Sequence, residues 1–328
     1  GAILGTPPTQ SPSLENYPAC DDEVRRLADE IWAGCNDNHA TMTRLGKGLV
    51  FRKTCVQKAL DELKVPPDVT GLDTKMSPWI HRTTSEGEIY FIAYQGDEPT
   101  SIAPSFRVTG RQPELWDAVT GRFRDLPAFT QDNNHTSVPL EIAPRQSLFI
   151  VFRKPAESAP RAATNFPPLT TVEELSGDWR VRFDPQWGGP QSVVFDGLLD
   201  WSQHPDDGIK YYSGTATYKK VFDLPDAAVQ KRVYLDLGEV KDMGRVRLNG
   251  TDLGLIWCAP WHVDITDVAQ AKDNVLEIDV VNTWANRIIG DCKLPADQRL
   301  TWTIHPHFGP DSPLLPAGLL GPVTLRVE

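Results

Sequence analysis

Six residues of two neighbouring segments combine flat aromatic rings with planar amide and guanidinium groups: Trp257, Trp261, Asn282, Trp284, Asn286 and Arg287. Aromatic faces match the CH surfaces of a sugar, while amides, carboxylates and guanidinium groups match its hydroxyls. The six residues are therefore candidate sugar-binding residues, with the second segment expected at a strand end and in the following loop. The same residue types also fill the end of a β sandwich and cap its turns, so core packing is the alternative.

Carboxylates beside these segments are the residue type that glycoside hydrolysis requires. The chain has 44 Asp and Glu residues, so their abundance alone selects none of them. Hydrolysis uses two carboxyl groups, roughly 5–5.5 Å apart for retention and roughly 6.5–9.5 Å apart for inversion. Glu239 and Asp291 are the candidate catalytic residues, and Asp242 is a third acid nearby. The alternative role for all three is to cap turns.

Other site chemistries have less support. His305 and His307 lie near Asp311, and two His with one Asp can bind a metal ion. Because Pro306 separates the two His and no third His follows, a loop is the prediction and no metal ligand is assigned. The five cysteines are odd in number and include no CxxC pair, which favours free thiols. No GxSxG, P-loop, HExxH or dinucleotide-binding motif is present.

Charge and composition restrict the possible partners. The chain of 328 residues has a formal net charge of -11 and no block of Lys or Arg, which opposes binding to nucleic acid or to an anionic membrane. A neutral carbohydrate is a compatible partner. No apolar run reaches the roughly 18 residues of a membrane span. The opening GAILGTPPTQSPSL lacks the basic region and long apolar stretch of a signal peptide.

The order of helix and strand patterns predicts a mainly β protein. Residues 1–68 alternate strand and helix patterns, too few to close a sheet, and are interpreted as an α/β remnant of a larger domain. Residues 69–156 contain short apolar runs bounded by Gly, Pro and Asp, as in a β sandwich. A linker over 157–168 leads to 169–328, where strands without intervening helices predict a jelly roll.

The segment RVRLNGTDLGLIW predicts a β hairpin that leads into the first tryptophan segment. Asn249 and Gly250 accept the positive φ angles of a two-residue turn, and alternating apolar residues flank them. Pro260 breaks the strand pattern beyond this hairpin. The aromatic residues there either fill the end of the sandwich or lie on its rim.

Longer stretches resemble known families. LDLGEVKDMGRVRLNGTDLGLIWCAPWHVDIT, NVLEIDVVNTWANRIIGD and AGLLGPVTL are similar to the sugar-binding, galactose-binding-like jelly roll of family 2 glycoside hydrolases. With SPSLENYPACDDEVRRLADEIW, LWDAVTGRFRDLP and SLFIVFRKP, they resemble more closely the C-terminal region of the α-L-rhamnosidase family 106. The resemblance runs over nearly the whole chain and implies a carbohydrate-active protein.

The same resemblance implies expectations for catalysis and cofactors. Members of that family have an upstream (β/α)8 barrel with two catalytic glutamates and a nearby calcium ion, and this chain is expected to begin after that barrel. The family's acid and base then have no matching positions here, whereas the six aromatic and polar residues match the auxiliary region. Calcium binding and a periplasmic or secreted location are implied by the resemblance alone.

Three functions are open from the sequence. The first is a sugar-binding, accessory portion of a glycoside hydrolase without its catalytic barrel. The second is a compact glycosidase that uses carboxylates of the β domains. The third is a structural module that forms a homo-oligomer through apolar surface exposed on the α/β segment. Hydrolysis of aryl glycosides distinguishes the second from the first, and size-exclusion chromatography distinguishes the third.

Overall fold

The structure is a computed structural model, and the residues it describes form five stretches: 1–35, 41–132, 134–156, 164–304 and 307–328. They form two compact units, which divide between Asp68 and Val69. The domain boundaries predicted after residues 156 and 168 stay predictions, because the division into compact units falls only after residue 68. Within the described stretches, no helix has the length and apolarity needed to cross a membrane.

The first unit mixes helices and strands. In chain order its elements are β1 (Ala2–Leu4), α1 (Ala19–Trp32), β2 (Met42–Leu45), β3 (Gly48–Phe51) and α2 (Val56–Glu62). The central strand β3 runs parallel to β1 and antiparallel to β2. Val50 and Phe51 on β3 are buried. The predicted order of strand and helix patterns is confirmed, with β2 as an additional strand that has no apolar alternation.

The second unit begins with eleven short strands: β4 (Val69–Thr70), β5 (Trp79–Thr83), β6 (Glu88–Ala93), β7 (Thr100–Ile102), β8 (Ser105–Phe106), β9 (Arg111–Asp117), β10 (Phe123–Asp125), β11 (Thr130–Gln131), β12 (Thr136–Ser137), β13 (Leu140–Ile142) and β14 (Ser147–Pro155). They form a five-stranded sheet in the order β10-β9-β14-β6-β5, a four-stranded sheet in the order β11-β12-β8-β4, and the pair β13-β7. Tyr90, Phe106 and Phe152 are fully buried, with Tyr90 and Phe106 ring centroids 4.8 Å apart. We call this part the first sandwich.

The remaining strands form the second sandwich: β15 (Thr170–Glu174), β16 (Trp179–Arg182), β17 (Val193–Phe195), β18 (Thr215–Phe222), β19 (Val233–Asp236), β20 (Glu239–Lys241), β21 (Met243–Leu248), β22 (Thr251–Ile256), β23 (His262–Asp264), β24 (Asn274–Val281), β25 (Gly318–Gly321) and β26 (Thr324–Val327). Its helices are α3 (Asp207–Lys210), α4 (Ala285–Cys292) and four 3-10 turns, Pro185–Trp187, Trp201–Gln203, Asp226–Ala228 and Ala296–Gln298. A six-stranded sheet, β17-β16-β18-β24-β21-β22, accompanies a four-stranded sheet, β15-β26-β19-β23, and the pair β20-β25.

The core of the second sandwich is aromatic. Trp179, Trp201 and Tyr218 are completely buried, and Trp201 Nε1 donates a hydrogen bond of 2.6 Å to the Tyr218 hydroxyl. Burial raises the pKa of Tyr218, so this hydroxyl stays protonated. Strands β18 and β24 bury alternate residues, as a sheet with one covered face requires. The predicted class, mainly β with two sandwiches after a short α/β segment, is confirmed.

The hairpin predicted from RVRLNGTDLGLIW joins β21 and β22. Leu248 pairs with Thr251, and the two turn residues have φ angles of 51° at Asn249 and 82° at Gly250. The Asn249 side chain also accepts a 2.8 Å hydrogen bond from the Val275 N–H on β24. This turn fixes the register of β22 and therefore the point at which the chain leaves the sheet after Ile256.

Candidate functional site

Two tryptophans lie at the same end of the six-stranded sheet, where strands terminate. Strands β22 and β24 both pair antiparallel with β21, so they run in the same direction and terminate at the same end of the sheet. Trp257 follows the end of β22, and Trp284 follows the end of β24. The ends of these strands are two strand spacings apart, about 10 Å. The side chains are 53% and 54% exposed, which is unusual for tryptophan in a folded domain.

A third tryptophan packs against Trp284. Trp187 belongs to the 3-10 turn that follows β16, and its ring meets Trp284 edge to face, with centroids 5.4 Å apart and an interplanar angle of 87°. Asp184 caps the turn by accepting a hydrogen bond from the Gln186 N–H, and Gly188 ends it with a φ of 81°. We call Trp187, Trp257 and Trp284 the tryptophan rim. Trp187 was not predicted as a site residue. The Asp, Pro and Gly residues around it in DPQWGG are typical of a turn, and this pattern could have indicated a tryptophan in a loop.

Asn282 and Asp242 hold the chain just before Trp284. The Asn282 side chain accepts a hydrogen bond from the Gly214 N–H at 3.0 Å and donates one to the Tyr212 carbonyl at 2.9 Å. The Asp242 carboxylate accepts a hydrogen bond of 3.1 Å from the Thr283 N–H. These contacts position Trp284, so the arrangement gives Asn282 an anchoring role within the protein.

The segment NTWANRIIGD, expected as a strand end and loop, continues as helix α4. That expectation is wrong, because packing rather than capping forms the helix: no side chain caps its N-terminus. Gly290 lies so close to Tyr211 that an added Cβ would be 2.7 Å from the Tyr211 Cβ, a contact that real Cβ atoms essentially never show. The glycine therefore allows α4 to pack directly against the segment that precedes β18.

Asn286 on α4 is buried and fixes the C-terminal segment of the sandwich. Its side-chain amide donates a 2.7 Å hydrogen bond to the Leu315 carbonyl and accepts one of 2.8 Å from the Leu315 N–H. The side chain is only 2% exposed. The reciprocal pair satisfies the buried Asn286 amide, which would be costly to leave without partners, so the contact indicates a structural role.

Arg287 and Asp291 form a buried ion pair along the same helix. The Arg287 Nη2 and the Asp291 Oδ1 are 3.0 Å apart, and both side chains are about 5% exposed. The second carboxylate oxygen of Asp291 accepts hydrogen bonds from the Thr301 N–H at 2.7 Å and from its hydroxyl at 2.6 Å. The pair therefore attaches the loop that carries Trp302, which is 84% exposed and which the sequence did not single out.

Trp261 differs from its neighbour Trp257. It is half-buried and packs against the core of the second sandwich, while its backbone carbonyl accepts a 2.8 Å hydrogen bond from the Leu237 N–H. The two tryptophans of one short segment are thus divided between core and surface. Of the six predicted sugar-binding residues, the structure places Trp257 and Trp284 on one exposed edge and directs the polar groups of Asn282, Asn286 and Arg287 into the protein.

Residues 1–131 match the model of the alpha-L-rhamnosidase family, and residues 199–300 match that of the glycosyl hydrolase 2 galactose-binding domain-like family. The solved structure of a rhamnosidase from Novosphingobium sp. PP1Y superimposes with a TM-score of 0.87 at 36% sequence identity over 100% of this chain and 31% of its own. The chain is related to glycoside hydrolases of the rhamnosidase type.

A second relative is more distant. A protein of Formosa agariphila, provisionally named a beta-glucuronidase, is 22% identical over 99% of this chain and 48% of its own length. The chain thus spans about half of this relative and about a third of the Novosphingobium rhamnosidase. The activities of those longer proteins are not assigned to this chain by the similarity.

The two candidate catalytic acids of this chain, Glu239 and Asp291, lie in different surroundings. Glu239 on β20 is exposed, and its carboxylate is 3.0 Å from the Lys241 ammonium group. Asp291 is buried, with one oxygen on Arg287 and the other on Thr301. A glycosidase needs both carboxyl groups to face one substrate. The assignment of Glu239 and Asp291 as catalytic residues stays a prediction.

Calcium binding, which the family resemblance alone implies, stays a prediction. No group of three or more His, Cys, Asp or Glu side chains that could hold a metal ion occurs in the five described stretches. His305 lies outside those stretches, so the predicted loop with His307 and Asp311 is not described at that residue. No step of the proposals below involves a metal.

Proposed function

We propose that this chain is a carbohydrate-binding, non-catalytic portion of a glycoside hydrolase, and that the tryptophan rim is its sugar-binding surface. The observation that carries the proposal is the exposure of Trp257 and Trp284, each more than half accessible to solvent at one end of the six-stranded sheet. A ring held in place by packing offers a flat apolar face with little entropy left to lose.

The area on these rings is enough for weak, specific binding. A tryptophan side chain presents about 250 Å², so 53% and 54% exposure leaves about 130 Å² on each. One pyranose face covers roughly half of that area, which is worth about 1.5 kcal/mol per ring at about 25 cal/mol per Å². Removal of either ring should therefore weaken sugar binding about tenfold.

The surroundings of the rim support a carbohydrate as the ligand. Trp257 and Trp284 both fall within residues 199–300, the segment similar to galactose-binding-like domains. Polar groups lie beside them, since Thr283 and Asp242 are exposed next to Trp284. Hydroxyl-bonding groups beside an aromatic face are what a neutral sugar requires. A rhamnosidase with the same fold over this region is consistent with that ligand class.

Isothermal titration of the chain with L-rhamnose and with D-galactose tests the proposal. We expect saturable binding of at least one sugar, and about tenfold weaker binding for Trp257→Ala and for Trp284→Ala. The matched control is Val221→Ala, because Val221 is 57% exposed at the opposite end of the same sheet. This control should bind sugar as the unmodified chain does.

Two results would contradict the proposal. One is a folded chain, shown by circular dichroism, that binds neither sugar at concentrations up to tens of millimolar. The other is sugar binding that survives both tryptophan substitutions without change. Either result would leave the exposed tryptophans without a role in carbohydrate recognition.

A further inference from the structure

A cleft of about 500 Å³ lies between the two sandwiches, and its lining includes Ile256 and Cys258, the sequence neighbours of Trp257. Strands β9 and β10 and the turn between them form the wall from the first sandwich. Strands β19, β22 and β23 form the wall from the second sandwich. None of the three rim tryptophans lines it. The volume is within the range of sites for small ligands.

Two arginines from opposite walls face this cleft. Arg232, which directly precedes β19, is paired, with its Nε 3.0 Å from the Asp264 carboxylate. Arg124 on β10 makes no ion pair with any carboxylate of the described residues, and its guanidinium group lies 4.9 Å from the centre of the Phe166 ring. Partial desolvation in the cleft and the positive charge of Arg232 lower the pKa of Arg124, although its side chain remains accessible to water. The Glu328 carboxylate acts on Arg124 only from beyond ion-pair distance, so the Arg124 guanidinium group is free to form a direct pair with a ligand.

Aromatic surface accompanies these charges. The rings of Tyr234 and His262 meet edge to face at 5.3 Å, and the Arg232 guanidinium group lies 5.5 Å from the Tyr234 ring centre. On the opposite wall, Phe123 is 60% exposed. Burial lowers the pKa of His262, which keeps its imidazole neutral near pH 7 and able to donate and accept hydrogen bonds.

We propose that this cleft is a second binding site, for a saccharide that carries a carboxylate group, with Arg124 as the carboxylate-binding residue. The planar guanidinium fork matches a carboxylate in two-point geometry, and a ligand carboxylate forms the direct ion pair that Arg124 does not make with any described carboxylate. Tyr234 and Phe123 offer faces to the sugar ring, and Asp264 and His262 offer hydrogen-bonding groups to its hydroxyls. The saccharide class rests on the proposed carbohydrate function, whereas the anionic group rests on Arg124.

The free monosaccharide D-galacturonate, compared with neutral D-galactose, is the probe. The difference between the two affinities isolates the carboxylate. We expect D-galacturonate to bind more tightly, with an advantage that decreases as salt is raised. Arg124→Gln should lower the affinity for D-galacturonate about tenfold and leave the affinity for D-galactose unchanged. The control is Arg82→Gln, because Arg82 is an exposed arginine on β5, at the other edge of the same five-stranded sheet.

The outcomes separate this proposal from that for the rim. If Trp257→Ala and Trp284→Ala weaken D-galactose binding and leave the effect of Arg124→Gln in place, both sites stand. If no sugar binds the rim but D-galacturonate binding still depends on Arg124, only the rim proposal fails. The cleft proposal is overturned if Arg124→Gln leaves D-galacturonate affinity unchanged. It is equally overturned if inorganic sulfate binds as tightly and displaces the sugar, because the site would then recognise any anion.

Discussion

Glu114 in the first sandwich offers a test of how this fold maintains a buried charge. It lies on β9, and its side chain is fully buried. One carboxylate oxygen accepts hydrogen bonds from Trp116 Nε1 at 2.9 Å and from Arg153 Nε at 2.8 Å. The other oxygen is 3.0 Å from the Lys154 ammonium group. Glu114→Gln keeps the shape of the side chain and removes its charge.

The magnitude follows from the exposure of the partners. Removal of one member of a buried ion pair costs about 3–5 kcal/mol when the other member cannot reach water. Arg153 and Lys154 are 32% and 46% exposed, so water can solvate their charges once the carboxylate is gone. We therefore expect Glu114→Gln to lower the free energy of unfolding of the first sandwich by about 1–3 kcal/mol near pH 7.

The pH dependence has a definite sign. Burial by itself raises the pKa of Glu114, but hydrogen bonds from Trp116, Lys154 and Arg153 outweigh it and bring the pKa below its usual value of 4.5. A carboxylate with a lowered pKa in the folded state stabilises the protein fully above that usual value. Its contribution is lost as the pH falls through the lowered pKa. The stability difference between the unmodified chain and Glu114→Gln should therefore narrow below about pH 4.5.

Urea unfolding at several pH values, with hydrogen exchange of the peptide over 111–117 to localise the effect, measures this difference. Glu141→Gln on β13 is the control, because Glu141 is exposed and should change stability by no more than about 0.5 kcal/mol. The reasoning is refuted if Glu114→Gln is as stable as the unmodified chain near pH 7. A stability difference that widens in acid would refute the sign of the linkage.

Two further predictions concern helix α4 and the candidate acids. Asn286→Ala should cost about 1–3 kcal/mol, because it removes both hydrogen bonds to the Leu315 backbone, each worth about 0.5–1.5 kcal/mol. Faster hydrogen exchange over 313–317 should report the loosened segment. Unchanged exchange there would contradict the anchoring role. Asp291→Asn should lower the melting temperature by leaving Arg287 buried without its counter-charge, whereas Glu239→Gln should not. The unmodified chain and both variants should hydrolyse nitrophenyl rhamnoside and galactoside no faster than a mock purification does. Turnover by the unmodified chain that is lost in either folded variant would establish a compact glycosidase instead.

Local sequence patterns predict much of the fold because they act over a few residues. Alternating apolar residues indicate strands such as β18 and β24, and the Asn249-Gly250 pair specifies the hairpin turn by accepting positive φ angles. These features need no knowledge of distant residues. The mainly β class and the hairpin were therefore predictable from the sequence.

Helix α4 shows where local patterns fail. Its sequence includes a glycine and offers no capping side chain, so propensity alone does not favour a helix. The helix is stabilised by distant partners: Tyr211 packs against Gly290, Leu315 pairs with Asn286, and Thr301 binds Asp291. Such contacts between residues far apart in sequence leave no periodic signal.

The sequence by itself determined which chemical groups this chain carries near the ends of its strands: tryptophan rings, amides, guanidinium groups and carboxylates. Only the tertiary structure decided which of them face water. Trp257 and Trp284 share an exposed edge because β22 and β24 both pair with β21, while Trp261 packs against the core and Arg287 is paired with Asp291. Exposure depends on which strands end side by side, and strand pairing between distant segments sets that order.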